Sequence, residues 1–585
     1  MKNLFLLSFI FFCPWLAPAQ NTQYQKVKIW LDGKSYKELS SLGIDLSEGQ
    51  SQKGIWFISD FSETEITEIQ QAGFRVDVLI KDVSDYYRNR NLKVDKSGSG
   101  QKSGSPSCEA LKPDYAVPAH FHLGSMGGFY TYAEMLNIID SMALLYPNLI
   151  TAKQAIDTTK SIEGRPLYYV KISDNAPTDE PEPEVLYTAL HHAREPESLT
   201  QLIYYMWYLL ENYGKDSTVN AVVNNTEMYF VPCVNPDGYV FNETSNPAGG
   251  GMWRKNRRFM PGTGGGGPGG KPQYGIDLNR NYSFLWGLDD FGSSPHKKDE
   301  TYRGDSAASE PETRAIQNFC TAHNFVLALN YHTYGNHHIV PWAYEQVLLT
   351  PDSTQFDFYG NAMTKYNKYH VGTPYQTVGY ITNGSSDDWM YGEQSAKAKI
   401  LAMTPEVGGF EDGFWPQTDR IIPLSKENVF SNLTLAKLAG RYGTVQHQDP
   451  HYIASLTNKF YFTFHQLGMD TGGTYSIGLI PISSNFTPKS GPVIVSGLGL
   501  LQSHKDSIVF ELNSSTLPGD AVEYIVSVDN GFYTESDTIR TVYGAPVLVF
   551  NDLDSAALNW DTTGSGWAVT AADFFSSPSS ITNLP

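Results

Sequence analysis

The chain has 585 residues, 41% hydrophobic and 18% charged, which is enough apolar material for a large core divided among several domains. Its 62 acidic and 42 basic side chains leave a formal charge of -20. No long basic block interrupts that excess, so a phosphate backbone would be repelled and nucleic acid is excluded as a partner.

In chain order, Lys2, the apolar run Leu4 to Phe12 and the small-residue site Ala17-Pro18-Ala19 predict an export signal over residues 1–19. The run falls short of the ~20 residues a spanning helix needs, so no transmembrane segment is expected and the mature protein is predicted to be secreted or periplasmic. Cys13 leaves with the signal. Cys108, Cys233 and Cys320 allow at most one disulfide, so stability must come from burial.

Residues 20–92 have the rhythm of a small α/β unit. Val27, Ile29 and Leu31 alternate as a strand, and Ile55, Phe57 and Ile58 mark a second. Ser62 and Glu65 spell a capping box for a helix with Ile66 and Ile69 on its inner face; Gly73 stops it, and Val76, Val78 and Ile80 alternate again. Residues 93–114, with Ser-Gly repeats from Asp95 to Ser107, read as a linker. A small folded unit before such a linker resembles a pro-segment.

Over residues 115–445, helices alternate with apolar strands at Leu167 to Ile172, Val185 to Ala189, Met228 to Pro232, Phe325 to Tyr331 and Ile400 to Thr404. That alternation predicts an α/β fold, a mixed and mostly parallel sheet with helices on both faces and its ligand site beyond the carboxyl ends of the strands. Residues 446–548 change to strand-like runs broken by Gly, Pro, Ser and Asn, which predicts a β-sandwich, and 549–585 read as a partial β unit. Glycan, protein and cell surface all stay open as ligands of the sandwich. Gly265 through Lys271 spells G-x-x-x-x-G-K, but Pro272 stands where a Ser or Thr would meet magnesium, so no nucleotide site is implied.

The strand ending at Ala189 runs into Leu190-His191-His192-Ala193-Arg194-Glu195, placing an H-x-x-E pair, His192 and Glu195, at a strand end. Zinc accepts one imidazole and one carboxylate, and a catalytic zinc takes three protein ligands. The pair alone is weak, since 14 histidines make roughly one such pair expected by chance. His332, also at a strand end, is the candidate third ligand, while His337 and His338 lead into the next apolar segment and read as structural.

In order along the chain, these segments resemble the pancreatic carboxypeptidase A and B family over about Tyr115 to Gly443. The resemblance makes His192, Glu195 and His332 ligands of one zinc ion and Arg194 a substrate contact. Trp253-Arg254-Lys255 implies that Arg254 faces the developing oxyanion. Asp277-Leu278-Asn279-Arg280-Asn281 implies that Asn279 and Arg280 grip the substrate's terminal carboxylate and that Asp277 orients a zinc histidine. Tyr380 matches the mobile tyrosine that closes over the bound residue, Glu406 of Thr404-Pro405-Glu406 the general base, and Asn235-Pro236-Asp237-Gly238-Tyr239 a segment without direct chemistry. The long glycine run Gly262 to Gly270 and Pro196 directly after Glu195 depart from the family pattern.

The chemistry demands the same parts. Amide hydrolysis at neutral pH needs a stronger nucleophile than water, a carboxylate to move its proton and fixed cations for the oxyanion. Restriction to a C-terminus needs the planar guanidinium fork of Arg280. Asp387 occupies the position resembling the pocket floor that separates enzymes preferring apolar ends from those preferring basic ends, and a carboxylate there predicts a preference for C-terminal Lys or Arg. Ser385 and Ala343 also border the expected pocket, and Asp388 reads as structural. Two other readings keep the same residues: a hydrolase of cell-wall peptides, in which a diamino acid meets Asp387, and an inactive binding protein on this fold.

Overall fold

The structure is a computed structural model that describes residues 23–91, 113–260, 273–447, 452–544, 567–570 and 580–583. The predicted export signal, residues 93–112 of the linker, Cys13, Cys108 and the glycine run lie outside the described residues. Among the described residues no helix is long and apolar enough to cross a membrane, and Cys233 and Cys320 are both free and buried.

The N-terminal unit is an antiparallel sheet of β1 (Tyr24–Trp30), β2 (Gln50–Gln52), β3 (Trp56–Ser62) and β4 (Arg75–Ile80) in the order β2-β3-β1-β4. Alternation in β1 turns Val27 and Ile29 inward, where both are fully buried. The helix Glu63–Gln71 starts where the capping box places it, the Ser62 side chain accepting from Glu65 N–H and the Glu65 side chain accepting from Ser62 N–H. This small core is not closed by its own residues. Val378 and Tyr380 of the following unit complete it.

The central unit carries strands β5 (Gln154–Lys160), β6 (Pro166–Ile172), β7 (Glu184–Ala189), β8 (Glu227–Val231), a short pair β9 (Phe259–Met260) and β10 (Gln273–Tyr274), then β11 (Phe325–Tyr331), β12 (His337–Ile339), β13 (His370–Gly372) and β14 (Leu401–Glu406). Eight of these form one mixed sheet in the order β13-β12-β14-β11-β7-β8-β6-β5. Its middle four, β14, β11, β7 and β8, are mutually parallel, and β7, β8 and β14 are buried along their whole length. Both faces are covered, as a parallel sheet requires. Tyr187, Leu329 and Met403 pack with the helices Pro196–Asn212 and Thr418–Ala439, while Leu186, Ala328 and Ala402 pack with Phe319 of the helix Pro311–Ala322 and Met390 of the helix Ser386–Gly392. Three neighbouring strands, β14, β11 and β7, thus end side by side on the same edge of the sheet.

The C-terminal sandwich consists of two four-stranded antiparallel sheets around Phe460, Phe462, Phe464, Tyr475 and Tyr524. Its first strand, Gly443–His447, straddles the expected boundary at 445 because Gly443 already pairs with Gln466. Ion pairs Lys437–Glu535 and Lys365–Asp537 join it to the central unit. Of the final segment, Trp567–Thr570 and Ser580–Asn583 form an antiparallel pair.

Candidate active site

β7 ends at Ala189, and Leu190 adopts a left-handed conformation (φ +56°) that turns the two histidines apart. His191 Nε2 lies 2.9 Å from the Tyr282 hydroxyl. His192 faces the opposite partners, with Nδ1 2.7 Å from Glu195 Oε1. Glu195 stands at the N-cap of the helix Pro196–Asn212 but makes no capping contact, its two oxygens being turned to histidines; Pro196 is tolerated in the first turn because its missing N–H has no partner within the helix there. Its second oxygen lies 2.9 Å from His332 Nδ1, at the end of β11, and the two Nδ1 atoms are 3.1 Å apart.

These three buried donors fit a tetrahedral zinc ion, whose ligands at about 2.0–2.2 Å stand roughly 3.3 Å from one another. Burial opposes ionisation of Glu195, yet His192 and His332 hold its carboxyl well below the usual range, and burial pulls His332 down toward the neutral form that donates a lone pair. His192 Nε2 faces Asp277 Oδ1 at 3.2 Å, the carboxylate expected to orient a zinc histidine. His338 is buried in β12, where burial pulls it down to about 3, and neither it nor His337 joins the cluster.

Glu406 ends β14 beside His332, the two joined by a backbone bridge. It is 3% exposed and its Oε2 has no hydrogen-bond partner. Burial, then Glu48, Glu195 and Asp45, push its carboxyl well above the ordinary value. Arg254, fully buried, donates from Nε and one terminal nitrogen to Asp277 Oδ2 at 3.2 and 3.0 Å. Its other terminal nitrogen is taken by Asp45, 2.6 Å away, and by Glu48 at 3.3 Å.

Asp45 and Glu48 belong to the N-terminal unit, in the loop before β2, and are the residues sequence reading missed. Asp45 also pairs with Arg194 at 2.9 Å and lies 4.0 Å from Arg280, while Glu48 lies 3.6 Å from Arg194. Burial would raise Asp45, but Arg254 and its neighbours hold it well below the carboxylate range, whereas burial and Asp45 push Glu48 well above. Arg280 donates to the Tyr380 hydroxyl at 3.3 Å, and Tyr380 itself is folded into the N-terminal unit's core. Asn279 Oδ1 accepts from Ser386 N–H, tying the carboxylate-gripping segment to the helix Ser386–Gly392. The only signal for the Asp45 and Glu48 contacts was a pair of acidic residues in a short loop, and no spacing rule links such a loop to arginines so far along the chain, the nearest being 149 residues from Asp45.

Asp387 sits in the first turn of that helix, 6% exposed. Its Oδ1 accepts from Asn330 Nδ2 and its Oδ2 from Thr404 Oγ1, each at 2.6 Å. Burial pushes it up to about 6, and no cation offsets that. Asp388 instead accepts from Ala343 N–H, as a structural carboxylate does; burial pushes it up to about 8.

A family model described as zinc carboxypeptidase matches residues 135–431, about half the chain. Metallocarboxypeptidase A of Trichophyton equinum is 26% identical over 344 residues, 57% of this chain and 76% of that protein. Carboxypeptidase A1 of Bos taurus is 25% identical over 412 residues, 69% and 88% of the two chains. Among solved structures, thrombin activatable fibrinolysis inhibitor superposes with a TM-score of 0.53 at 21% identity, covering 71% of this chain and 98% of its own. Carboxypeptidase A of Helicoverpa armigera gives 0.53 at 23%, with the same coverages. At those identities the likeness is one of fold, and the fold is carboxypeptidase-like, in keeping with the α/β class expected from the strand pattern and the type implied by the resemblance.

Proposed function

We propose that this chain, which belongs to the zinc carboxypeptidase family, releases C-terminal residues from peptides and prefers those ending in Lys or Arg. Its coarse activity, zinc-dependent peptide hydrolysis, goes with the family; the preference and the residue roles below are our reading. His192, Glu195 and His332 would hold a zinc ion, which would supply Lewis acidity at the scissile carbonyl and to a water. Glu406 accepts a proton from the attacking water and returns it to the leaving amine. Arg254, held in plane by Asp277, meets the oxyanion. Arg280 and Asn279 bind the terminal carboxylate, Arg194 contacts the chain further in, and Tyr380 closes over the bound residue once it is free of the N-terminal core.

The preference for basic ends is carried by one observation: Asp387 is a buried carboxylate that receives two hydrogen bonds and has no ion pair among the described residues. A guanidinium or ammonium entering the pocket provides the missing charge. Peptides ending in Arg are therefore expected to be cleaved faster than matched peptides ending in Leu or Phe, and Asp387→Ala is expected to remove the difference. Because Asp387 ionises at about 6, the Arg-over-Leu ratio of kcat/KM should rise with pH through that value and flatten above it. Equal or better release of Leu by the unmodified enzyme at neutral pH would overturn this reading.

We further propose that the N-terminal unit holds the site closed until it is removed. Asp45 and Glu48 on the arginines and Tyr380 in the N-terminal core support this. The export signal read in residues 1–19 supports a site of action outside the cytoplasm.

A further inference from the structure

The two histidines of the cluster are held in different ways. His192 turns its Nε2 to a carboxylate, Asp277 Oδ1 at 3.2 Å, which fixes both the tautomer and the ring plane. His332 lacks such a support. With Nδ1 given to a metal, a neutral imidazole carries its proton on Nε2 and needs an acceptor there. Among the described residues the one side chain near that atom is Asn279, whose Nδ2 lies 3.4 Å away and is itself a donor; its Oδ1 is already taken by Ser386 N–H. The ring plane of His332 is therefore set by packing.

What packs against it is His191. The two rings lie 16° from parallel with centroids 5.5 Å apart, an offset stack, and His191 is fully buried. Its own ring is pinned by the contact of Nε2 with the Tyr282 hydroxyl, 2.9 Å away. Tyr282 is anchored in turn: it is fully buried, its N–H donates to Gly384 O at 3.0 Å, and its ring packs with that of Trp389. A chain of contacts thus runs from the core through Tyr282 and His191 to His332. The Nδ1 of His191 has no partner. A buried imidazole with an orphaned nitrogen costs stability that an aliphatic side chain of similar volume avoids, so space filling alone does not call for histidine at this position.

We infer that His191 is a positioning residue of the metal site: stacked on His332 and pinned by Tyr282, it holds that ring in the plane that keeps Nδ1 facing His192 and Glu195. This rests on the reading of His332 as a zinc ligand. His191 itself touches neither metal nor substrate, because the left-handed Leu190 turns it away from the cluster. Without the flat ring beside it, His332 rotates among other orientations and the three donors no longer converge.

The test is the zinc dissociation constant of the full chain, measured by competition with a chromogenic chelator, beside the melting temperature of the metal-free chain. His191→Leu removes the ring, and His191→Gln keeps a hydrogen-bonding group without it; both are expected to weaken zinc binding about tenfold or more, the usual scale for loss of an outer support. His191→Phe, which keeps a flat ring, is expected to recover most of that loss, and Tyr282→Phe, which unpins the ring, to lose less than His191→Leu. A purely structural residue would lower the melting temperature of the metal-free chain and leave the zinc constant alone. Constants within about twofold of the parent in His191→Leu and His191→Gln, while His332→Ala abolishes tight binding, overturn the inference and leave the zinc site standing. A His191→Phe variant that binds zinc as weakly as His191→Leu also overturns it, since the stack would then do nothing. Should His191→Leu disturb folding, His191→Gln and His191→Phe decide the matter. Undiminished zinc binding in His332→Ala removes the reading of the site, and the inference with it.

Discussion

Glu406→Gln is expected to lower kcat for peptide hydrolysis by about 10²- to 10⁴-fold, the usual contribution of a positioned acid–base group, with little change in KM. The carboxylate ends β14 beside His332, is buried, and has one oxygen with no partner in the protein. Glutamine keeps the shape and removes the ability to accept a proton. Zinc content, measured on the same variant, should be unchanged, because His192, Glu195 and His332 make the metal site without it. A variant that retains zinc and near-parental kcat would show that Glu406 is not the base.

Separating residues 20–92 from the rest of the chain is expected to raise kcat/KM by about a hundredfold or more. Breaking a single buried ion pair costs on the order of 3–5 kcal/mol, and 2.7 kcal/mol already corresponds to about a hundredfold in occupancy. Asp45 alone pairs with two arginines of the site and approaches a third. The docked unit also acts on the base. Burial apart, Glu48 and Asp45 are among the charges that push the Glu406 carboxyl up, so the docked unit opposes the ionised form that accepts a proton. Departure of those two acids lowers the Glu406 value and opens the arginines together. The uncleaved double variant Asp45→Asn, Glu48→Gln should accordingly show more activity than the uncleaved parent. Equal activity before and after separation would rule out the closed state proposed for the N-terminal unit.

What was legible in the sequence follows from local chemistry. The Ser62/Glu65 capping box, the alternation in β1 and the apolar runs of β7, β11 and β14 are written within a few residues of where they act, because capping geometry and the period of two are local. The H-x-x-E pair and His332 were visible at strand ends for the same reason, and the resemblance to a known family put five further segments in order along the chain. Sequence alone did not say which of the adjacent His191 and His192 turns inward on any physical ground; the left-handed Leu190 decides that.

Other contacts needed the tertiary structure. Asp45 and Glu48 reach Arg194, Arg254 and Arg280 across more than 140 positions of chain, and the acidic loop carries no local pattern that names its partners. That Asn330 and Thr404 converge on Asp387 depends on β11 and β14 being neighbours and on the helix Ser386–Gly392 lying over that face. The sequence by itself carried the α/β class, the H-x-x-E pair and His332 at strand ends and the carboxypeptidase resemblance that joins them, because period, caps and motif spacing are short-range. Only the tertiary structure decided what occupies the arginines and what holds the pocket carboxylate, because strand order and docking bring together groups whose separation along the chain carries no information about their distance in space.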